Sequence, residues 1–175
     1  MAMRNDKAPT ITLCKWSKIL INSVMCLFFI FSSAAFSSGE NTAMDNRRVV
    51  EAIYKGFETG DMDTILASMS DDIVWLHPGK ADEIPFAGRF EGKKGVQRFF
   101  NTAFSTIDVL EQKVHSFEAS GDKVIVLGFE HMRVKATGKE YQSNWIHMYT
   151  VKAGQAVMFE EFIDTAALVD AFSSN

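Results

Sequence analysis

Cysteine is scarce in this chain of 175 residues, which has only Cys14 and Cys26, both within the first 37 residues. The rest of the chain therefore has neither a disulfide bond nor a thiol nucleophile, and an oxidising compartment is harmless to it. A glycine-rich phosphate loop, a serine nucleophile elbow and histidine pairs at metal-ligand spacing are also missing from the sequence. We therefore expect no cofactor and no metal ion.

Basic charge is scarce beyond residue 37. The first 37 residues hold four of the 18 lysines and arginines and one of the 22 acidic residues, so the net charge moves from −4 for the whole chain to −7 for residues 38–175. An acidic domain repels polyanions. Nucleic acid and anionic membrane surfaces are thus predicted not to be partners.

A long apolar run is missing too. Basic residues precede a short run, Ile19–Phe31, which a cluster of small residues follows. This order is typical of a secretory signal peptide, and Ala35-Phe36-Ser37 fits the small-x-small cleavage rule. We predict a signal peptide over residues 1–37 and an exported protein, periplasmic or secreted. The alternative is an uncleaved membrane anchor over residues 19–36, although a full span needs about 20 apolar residues.

The remaining chain predicts a polar linker over residues 38–45 and one domain over residues 46–175. Asp45 or Asn46 is expected to cap a first helix, and Gly60 to end it. Further elements follow from apolar spacing and turn residues. They are a second short helix from Asp61, a strand at 73–77, a short strand or turn at 86–92, a helix at 93–104, strands at 109–119, 123–136, 140–152 and 155–163, and a last helix at 166–172.

Helices that precede a run of hairpins predict an α+β fold. We expect a curved mixed or antiparallel sheet, shaped like a cone, wrapped over three N-terminal helices, with a short C-terminal helix. A strongly curved sheet does not close its own mouth, so a cavity is expected between sheet and helices.

Several segments resemble SnoaL-like proteins of the nuclear transport factor 2-like (NTF2-like), or ketosteroid-isomerase-like, superfamily. The segments are Val49–Gly79, Gly88–Gly92, Trp145–His147 and Glu161–Leu168, and the resemblance covers about residues 46–172. It implies a cone-shaped α+β barrel, usually a homodimer formed through the sheet. Its relatives include isomerases, cyclases, dehydratases, epoxide hydrolases and plain binding domains, because one fold hosts many chemistries.

Two histidines are the first candidates for catalysis. Strand alternation places His77 on one face with Ile73 and Trp75. The resemblance places His77 where ketosteroid isomerases carry the aspartate that moves a proton, and imidazole can serve as that general base. It places His147 where an acid donates a hydrogen bond to a developing oxyanion. A structural role in the sheet is the alternative for both histidines.

Other polar candidates are less specific. The isomerase tyrosine corresponds to Ile53, so its neighbour Tyr54 is a displaced candidate for the binding site. Asp164 could orient a histidine or activate water, but it precedes the last helix and is also expected as its N-cap. Glu161 shares a strand face with Phe159, and both an inward and an outward side chain were compatible with the pattern.

Fifteen phenylalanines make an aromatic pocket wall plausible, suited to a flat apolar ligand. The aromatic residues predicted to bind it are Trp75, Phe86, Phe100, Phe129, Trp145 and Phe159. Two hypotheses follow. The domain is an isomerase, cyclase or dehydratase that acts on a small apolar oxygenated molecule, with His77 as general base, or it is a non-catalytic ligand-binding or dimerisation domain of the same fold.

Overall fold

The structure, a computed structural model, describes residues 22–174, with side chains from Gly39 onward. The chain divides into two compact units, Met1–Ser38 and Gly39–Asn175, and the second carries the sheet. The charged start of the predicted signal peptide lies outside the described residues, so the signal peptide stays a prediction. Within residues 22–174, no helix is both long and apolar enough to cross a membrane.

The first helix starts earlier than expected. Helix α1 is Asn22–Thr59, so the predicted linker at 38–45 is helical, and Asp45 and Asn46 are not N-caps. The stretch has no proline, and residues such as Glu40 and Ala43 favour a helix over a linker. Asn46 instead donates from Nδ2 to the carbonyl oxygen of Gly121 at 2.9 Å, which ties α1 to a turn of the sheet.

The other helices lie close to their predicted positions. They are α2 at Met62–Ala67, α3 at Gly92–Thr106 and α4 at Thr165–Phe172. Gly60 ends α1 with a φ of 69°, a left-handed conformation that favours glycine. The Asp61 side chain caps α2 as expected by accepting from the Thr64 amide at 3.0 Å.

Six strands form one sheet in the order β2-β1-β6-β5-β4-β3. They are β1 at Met69–His77, β2 at Gly88–Glu91, β3 at Ile107–Ser120, β4 at Lys123–Val134, β5 at Glu140–Lys152 and β6 at Gln155–Phe162. Strands β1 and β6 run parallel and the other neighbours antiparallel, so the sheet is mixed. The expected barrel does not close, because β2 and β3 are sheet edges. Bulges in the β3–β4 and β5–β6 pairings contribute to the curvature.

The position of β6 decides which side chains meet. Strand β6 lies between β1 and β5 and pairs with both. Its residue Glu160 is opposite Leu76 of β1, and its residue Glu161 is opposite His147 of β5. The C-terminal half of β6 therefore lies between the C-terminal end of β1 and the middle of β5. Residues that are 84 positions apart in sequence, His77 and Glu161, become neighbours.

The inward face of this sheet is apolar and aromatic. Trp75 stacks on Phe159 with ring centroids 3.6 Å apart and an angle of 16° between the planes. Helix α3 brings Phe99 and Phe100 against Trp75, at centroid distances of 5.4 and 5.3 Å. Burying aromatic side chains stabilises the fold by about 1.5–3 kcal/mol each. These contacts form the aromatic floor of the site.

Candidate active site

A cavity of about 290 Å³ opens between the inward face of the sheet and the helices. Its wall is mostly aromatic and aliphatic, whereas its polar groups come from five strands. The apolar lining includes Phe57, Trp75, Phe86, Phe99, Phe100, Phe104, Ile107, Val109, Met132 and Phe159; the polar lining includes His77, Gln112, Glu130, Tyr141, His147 and Glu161. Liquid water occupies about 30 Å³ per molecule, so the cavity has the volume of about ten waters and suits a small organic molecule.

His77 stands at the end of β1 with its side chain 4% exposed. Its Nδ1 lies 2.9 Å from the carbonyl oxygen of Pro78. A carbonyl only accepts, so Nδ1 carries a hydrogen and Nε2 is the nitrogen that gains or loses a proton. Burial lowers the pKa of His77, against the opposing charge of Glu161. Burial thus favours the neutral imidazole, whose basic nitrogen lies 3.2 Å from Glu161 Oε2.

His147 lies on β5, and both of its ring nitrogens have partners. Nε2 donates to Glu161 Oε1 at 3.1 Å, and Nδ1 lies 2.6 Å from the Tyr54 hydroxyl. The ring also stacks on Trp145, with centroids 4.0 Å apart. The direct donation to a ligand that the resemblance implied would require one of these bonds to break. The geometry instead makes His147 a positioning residue for Glu161.

Tyr54 approaches the site from α1, one residue after the isomerase position at Ile53. Ile53 is fully buried in the core, while Tyr54 reaches past the pocket wall to the far side of His147. Burial raises the pKa of Tyr54, so its hydroxyl keeps its proton. Tyr54 therefore does not line the cavity and acts through His147.

Glu161 is the centre of the site, and the sequence pattern had left its direction open. Its side chain is 8% exposed, with Oε1 3.1 Å from His147 Nε2 and Oε2 3.2 Å from His77 Nε2. Burial alone would raise the pKa of Glu161, but the charge and hydrogen bond of His147 and the charge of His77 hold it below its ordinary value. The result is a buried carboxylate between two imidazoles.

Glu130 is a second buried carboxyl group, which the sequence analysis did not identify. It is 6% exposed on β4, and the Tyr141 hydroxyl on β5 donates to its Oε1 at 2.8 Å. Burial, with the charge of Glu161, raises the pKa of Glu130 to about 8, although the Tyr141 bond acts in the opposite direction. The alternation of β4, which places Gly128, Glu130 and Met132 inward, was the available signal.

Four of the aromatic residues predicted for the pocket line the cavity. They are Trp75, Phe86, Phe100 and Phe159. Phe86 also meets the edge of the His77 ring, with centroids 4.8 Å apart and an angle of 82° between the planes. These contacts join the apolar wall directly to the polar end of the cavity.

Three other predicted residues do not line it. Phe129 is adjacent to the inward Glu130, so strand alternation places it on the opposite face. Trp145 faces inward but lies behind His147, over Gly128. Asp164 is exposed and caps α4 by accepting from the amides of Ala166 and Ala167 at 3.1 and 3.2 Å. This geometry agrees with the N-cap interpretation of Asp164.

Metal binding was not expected from the sequence. Among the described residues, no group of three or more histidine, cysteine, aspartate or glutamate side chains has a geometry that could hold a metal ion. The polar side chains of the cavity can transfer protons and form hydrogen bonds.

Comparisons with known proteins agree with this architecture. A family profile described as a SnoaL-like domain matches residues 50–159. An NTF2-like protein from Burkholderia xenovorans is 28% identical, with a TM-score of 0.69 over 75% of this chain and 98% of that one. An NTF2-like protein from Burkholderia thailandensis is 25% identical, with a TM-score of 0.67 over 73% of this chain and 97% of that one.

A further similar structure is that of TerC co-crystallized with polyporic acid. It is 25% identical, with a TM-score of 0.61 over 73% of this chain and 98% of that one. A comparison with curated protein sequences found no match. The family match and the shared fold confirm the resemblance inferred from the sequence, and the chain belongs to the SnoaL-like domain family within the NTF2-like superfamily.

Proposed function

We propose that this domain binds a small apolar oxygenated molecule in the cavity and moves a proton at a carbon next to its carbonyl group, as an isomerase, cyclase or dehydratase does. The observation that carries the proposal is the Glu161 carboxylate, held between His77 and His147 at the polar end of an aromatic cavity. The TerC structure with polyporic acid supports a small organic ligand for this fold.

The proton acceptor in this proposal is Nε2 of His77. Nδ1 is committed to Pro78, so neutral His77 presents a lone pair at Nε2, 3.2 Å from the lone pairs of Glu161 Oε2. Two acceptors at this distance repel, and a proton between them turns the repulsion into an ion pair. The ion pair with Glu161 therefore offsets part of the burial cost when His77 takes up a proton from the ligand.

The reaction follows from this preference. The C–H bond next to the ligand carbonyl breaks, its proton bonds to His77 Nε2, and the electron pair moves to the carbonyl oxygen to form an enolate. The imidazolium is stabilised by Glu161, which His147 and Tyr54 hold in place. The same proton then returns to another atom of the ligand. A base placed in this way contributes about 10²–10⁴-fold to a rate.

The test uses a general probe, 5-nitrobenzisoxazole, whose ring opens to a coloured phenolate when a base removes its carbon-bound proton. We expect the full chain to accelerate the opening and His77→Gln to lower the rate at least tenfold. His115→Gln is the matched control, because His115 is exposed on β3 and is expected to leave the rate unchanged. If His77→Gln and His115→Gln have equal rates, the assigned base is wrong.

The same assay separates the enzyme from a plain binding domain. Glu161→Gln keeps the shape of the side chain but removes its charge, so it should slow proton uptake while the probe still binds. The exposed Glu118 supplies the control Glu118→Gln. Binding of the probe without any acceleration by the unaltered protein would favour the non-catalytic alternative.

Export and dimerisation belong to the same proposal. An outer row of exposed apolar residues crosses three strands, where Leu127 pairs with Ile146 and Ile146 with Phe162. These side chains are 37%, 42% and 52% exposed, which favours a second copy of the chain as the cover for this face.

Mass spectrometry of the native N-terminus tests the predicted signal peptide, since a mature chain that starts before Ser37 would contradict the predicted cleavage.

A further inference from the structure

Two buried carboxyl groups face the same cavity, and their partners differ. Glu161 contacts two imidazoles, from β1 and β5, whereas the hydrogen-bond partner of Glu130 is the neutral hydroxyl of Tyr141. Among the described residues, no lysine or arginine lines the cavity. Two carboxylates that share a site disfavour each other's charge, and the one that contacts two imidazoles keeps it more readily.

Glu130 is therefore the carboxyl group that holds the proton. The Tyr141 hydroxyl donates to Oε1, which leaves the acid hydrogen on Oε2. Burial raises the pKa of Tyr141 as well, so its hydroxyl stays a donor to Oε1. The raised pKa of Glu130, about 8, agrees with this assignment. The other titratable groups that line the cavity are Tyr141, His147 and Tyr149 from β5, Glu161 from β6 and His77 from β1.

We propose that Glu130 donates a hydrogen bond from Oε2 to the carbonyl oxygen of the bound molecule, and that the two carboxyl groups make the cavity select uncharged carbonyl compounds over carboxylates. This proposal rests on the proposed function in one respect, namely that the ligand lies in the cavity with its reacting carbon near His77. Glu130 takes the donor role that the resemblance implied for His147, whose two nitrogens are engaged by Tyr54 and Glu161.

The two roles lie at different places in the cavity. His77 and Glu161 stand on β1 and β6, while Glu130 stands on β4, on the other side of β5 in the sheet order. Both groups line the same cavity, and in this proposal the ligand presents its carbon-bound proton to His77 and its oxygen to Glu130. Charge that develops on that oxygen strengthens the Glu130 bond, which is the requirement for a transition-state contact.

The probe for this inference is acetophenone labelled with ¹³C at its carbonyl, bound to the full chain and observed by isotope-edited infrared spectroscopy. A hydrogen bond to the carbonyl lowers its stretching frequency. We expect a lowered frequency at pH 6 and its loss at pH 9.5, where Glu130 is ionised. Glu130→Gln places an amide donor at the same position, so the lowered frequency should persist at both pH values.

Glu130→Met removes the donor while it keeps a similar length. We expect the lowered frequency to be lost at both pH values and the affinity for acetophenone to fall roughly two- to tenfold at pH 6. Glu118→Gln is the matched control and should behave as the unaltered protein. Benzoate, a carboxylate of similar shape, should bind at least tenfold more weakly than acetophenone to the unaltered protein at pH 6.

Several results would overturn the inference. They are no binding of acetophenone at pH 6, a carbonyl frequency that Glu130→Met leaves lowered, or a benzoate affinity equal to that of acetophenone. The infrared signal needs no proton abstraction, and opening of 5-nitrobenzisoxazole needs no carbonyl. If the infrared shift is missing while the ring opening is accelerated, the inference on Glu130 has failed. If the ring opening is not accelerated while the infrared shift is present, the proposed function has failed.

Discussion

The stability of the protein should depend on pH through Glu130, and Glu130→Gln is the perturbation that isolates this dependence. The pKa of Glu130 rises from an ordinary 4.5 to about 8 on folding, mainly because the side chain is buried. Between these pH values the folded state binds more protons than the unfolded state. The free energy of unfolding therefore falls as the pH rises through this window.

The magnitude follows from the size of the shift. Each pKa unit corresponds to about 1.4 kcal/mol, so the easier proton release of Glu130 in the unfolded state lowers the free energy of unfolding by about 1 kcal/mol at pH 5, about 3 kcal/mol at pH 7 and about 5 kcal/mol at pH 9. Glutamine does not titrate and escapes this cost. The unfolding free energy of Glu130→Gln should therefore exceed that of the unaltered protein by a margin that grows by about 4 kcal/mol from pH 5 to pH 9.

Urea unfolding of both proteins at pH 5, 7 and 9 measures this margin, with tryptophan fluorescence as the signal. The quantity compared is the change of this margin between pH 5 and pH 9. A difference in stability between the amide and the carboxyl group that does not depend on pH therefore cancels. Parallel stability curves for the two proteins would refute a neutral Glu130 in the fold. Glu118→Gln, at an exposed position, should give a margin that does not change with pH.

Three further substitutions test the assignment of other residues. Asp164→Ala removes the cap of α4 and should cost about 1 kcal/mol in urea unfolding while opening of 5-nitrobenzisoxazole stays unchanged; a large loss of rate would restore a catalytic role. Gly128→Ala should lower stability by about 1–3 kcal/mol, because a Cβ there overlaps the Trp145 ring, and an unchanged melting temperature would contradict this contact. Leu127→Glu should convert a dimer to a monomer in light scattering, whereas Met44→Glu, exposed on α1, should not; a dimer that survives Leu127→Glu would place the interface elsewhere.

Local sequence signals located most elements of the fold. Apolar spacing identified the helices, glycine and aspartate identified the break between α1 and α2, and alternation placed Ile73, Trp75 and His77 on one face of β1. The same alternation put Tyr141, Ser143, Trp145, His147 and Tyr149 on the inner face of β5. The start of α1 was wrong because a polar composition does not exclude a helix when proline is missing.

The composition of the site depended on contacts that no local pattern encodes. Glu161 could have faced either way in sequence, and only its place between β1 and β5 puts it between His77 and His147. Trp145 and Phe129 were assigned to the pocket by residue type. Trp145 stacks behind the His147 ring, and strand alternation places Phe129 on the opposite face of the sheet, so neither residue lines the cavity.

By itself, the sequence determined the α+β class, the family and the two histidines, because periodicity and short motifs are local properties of the chain. The tertiary structure alone decided that Glu161 is the shared partner of both imidazoles and that Glu130 is buried beside the Tyr141 hydroxyl. Protonation states depend on burial and on neighbouring charges, and those neighbours come from strands that are distant in sequence but adjacent in the sheet.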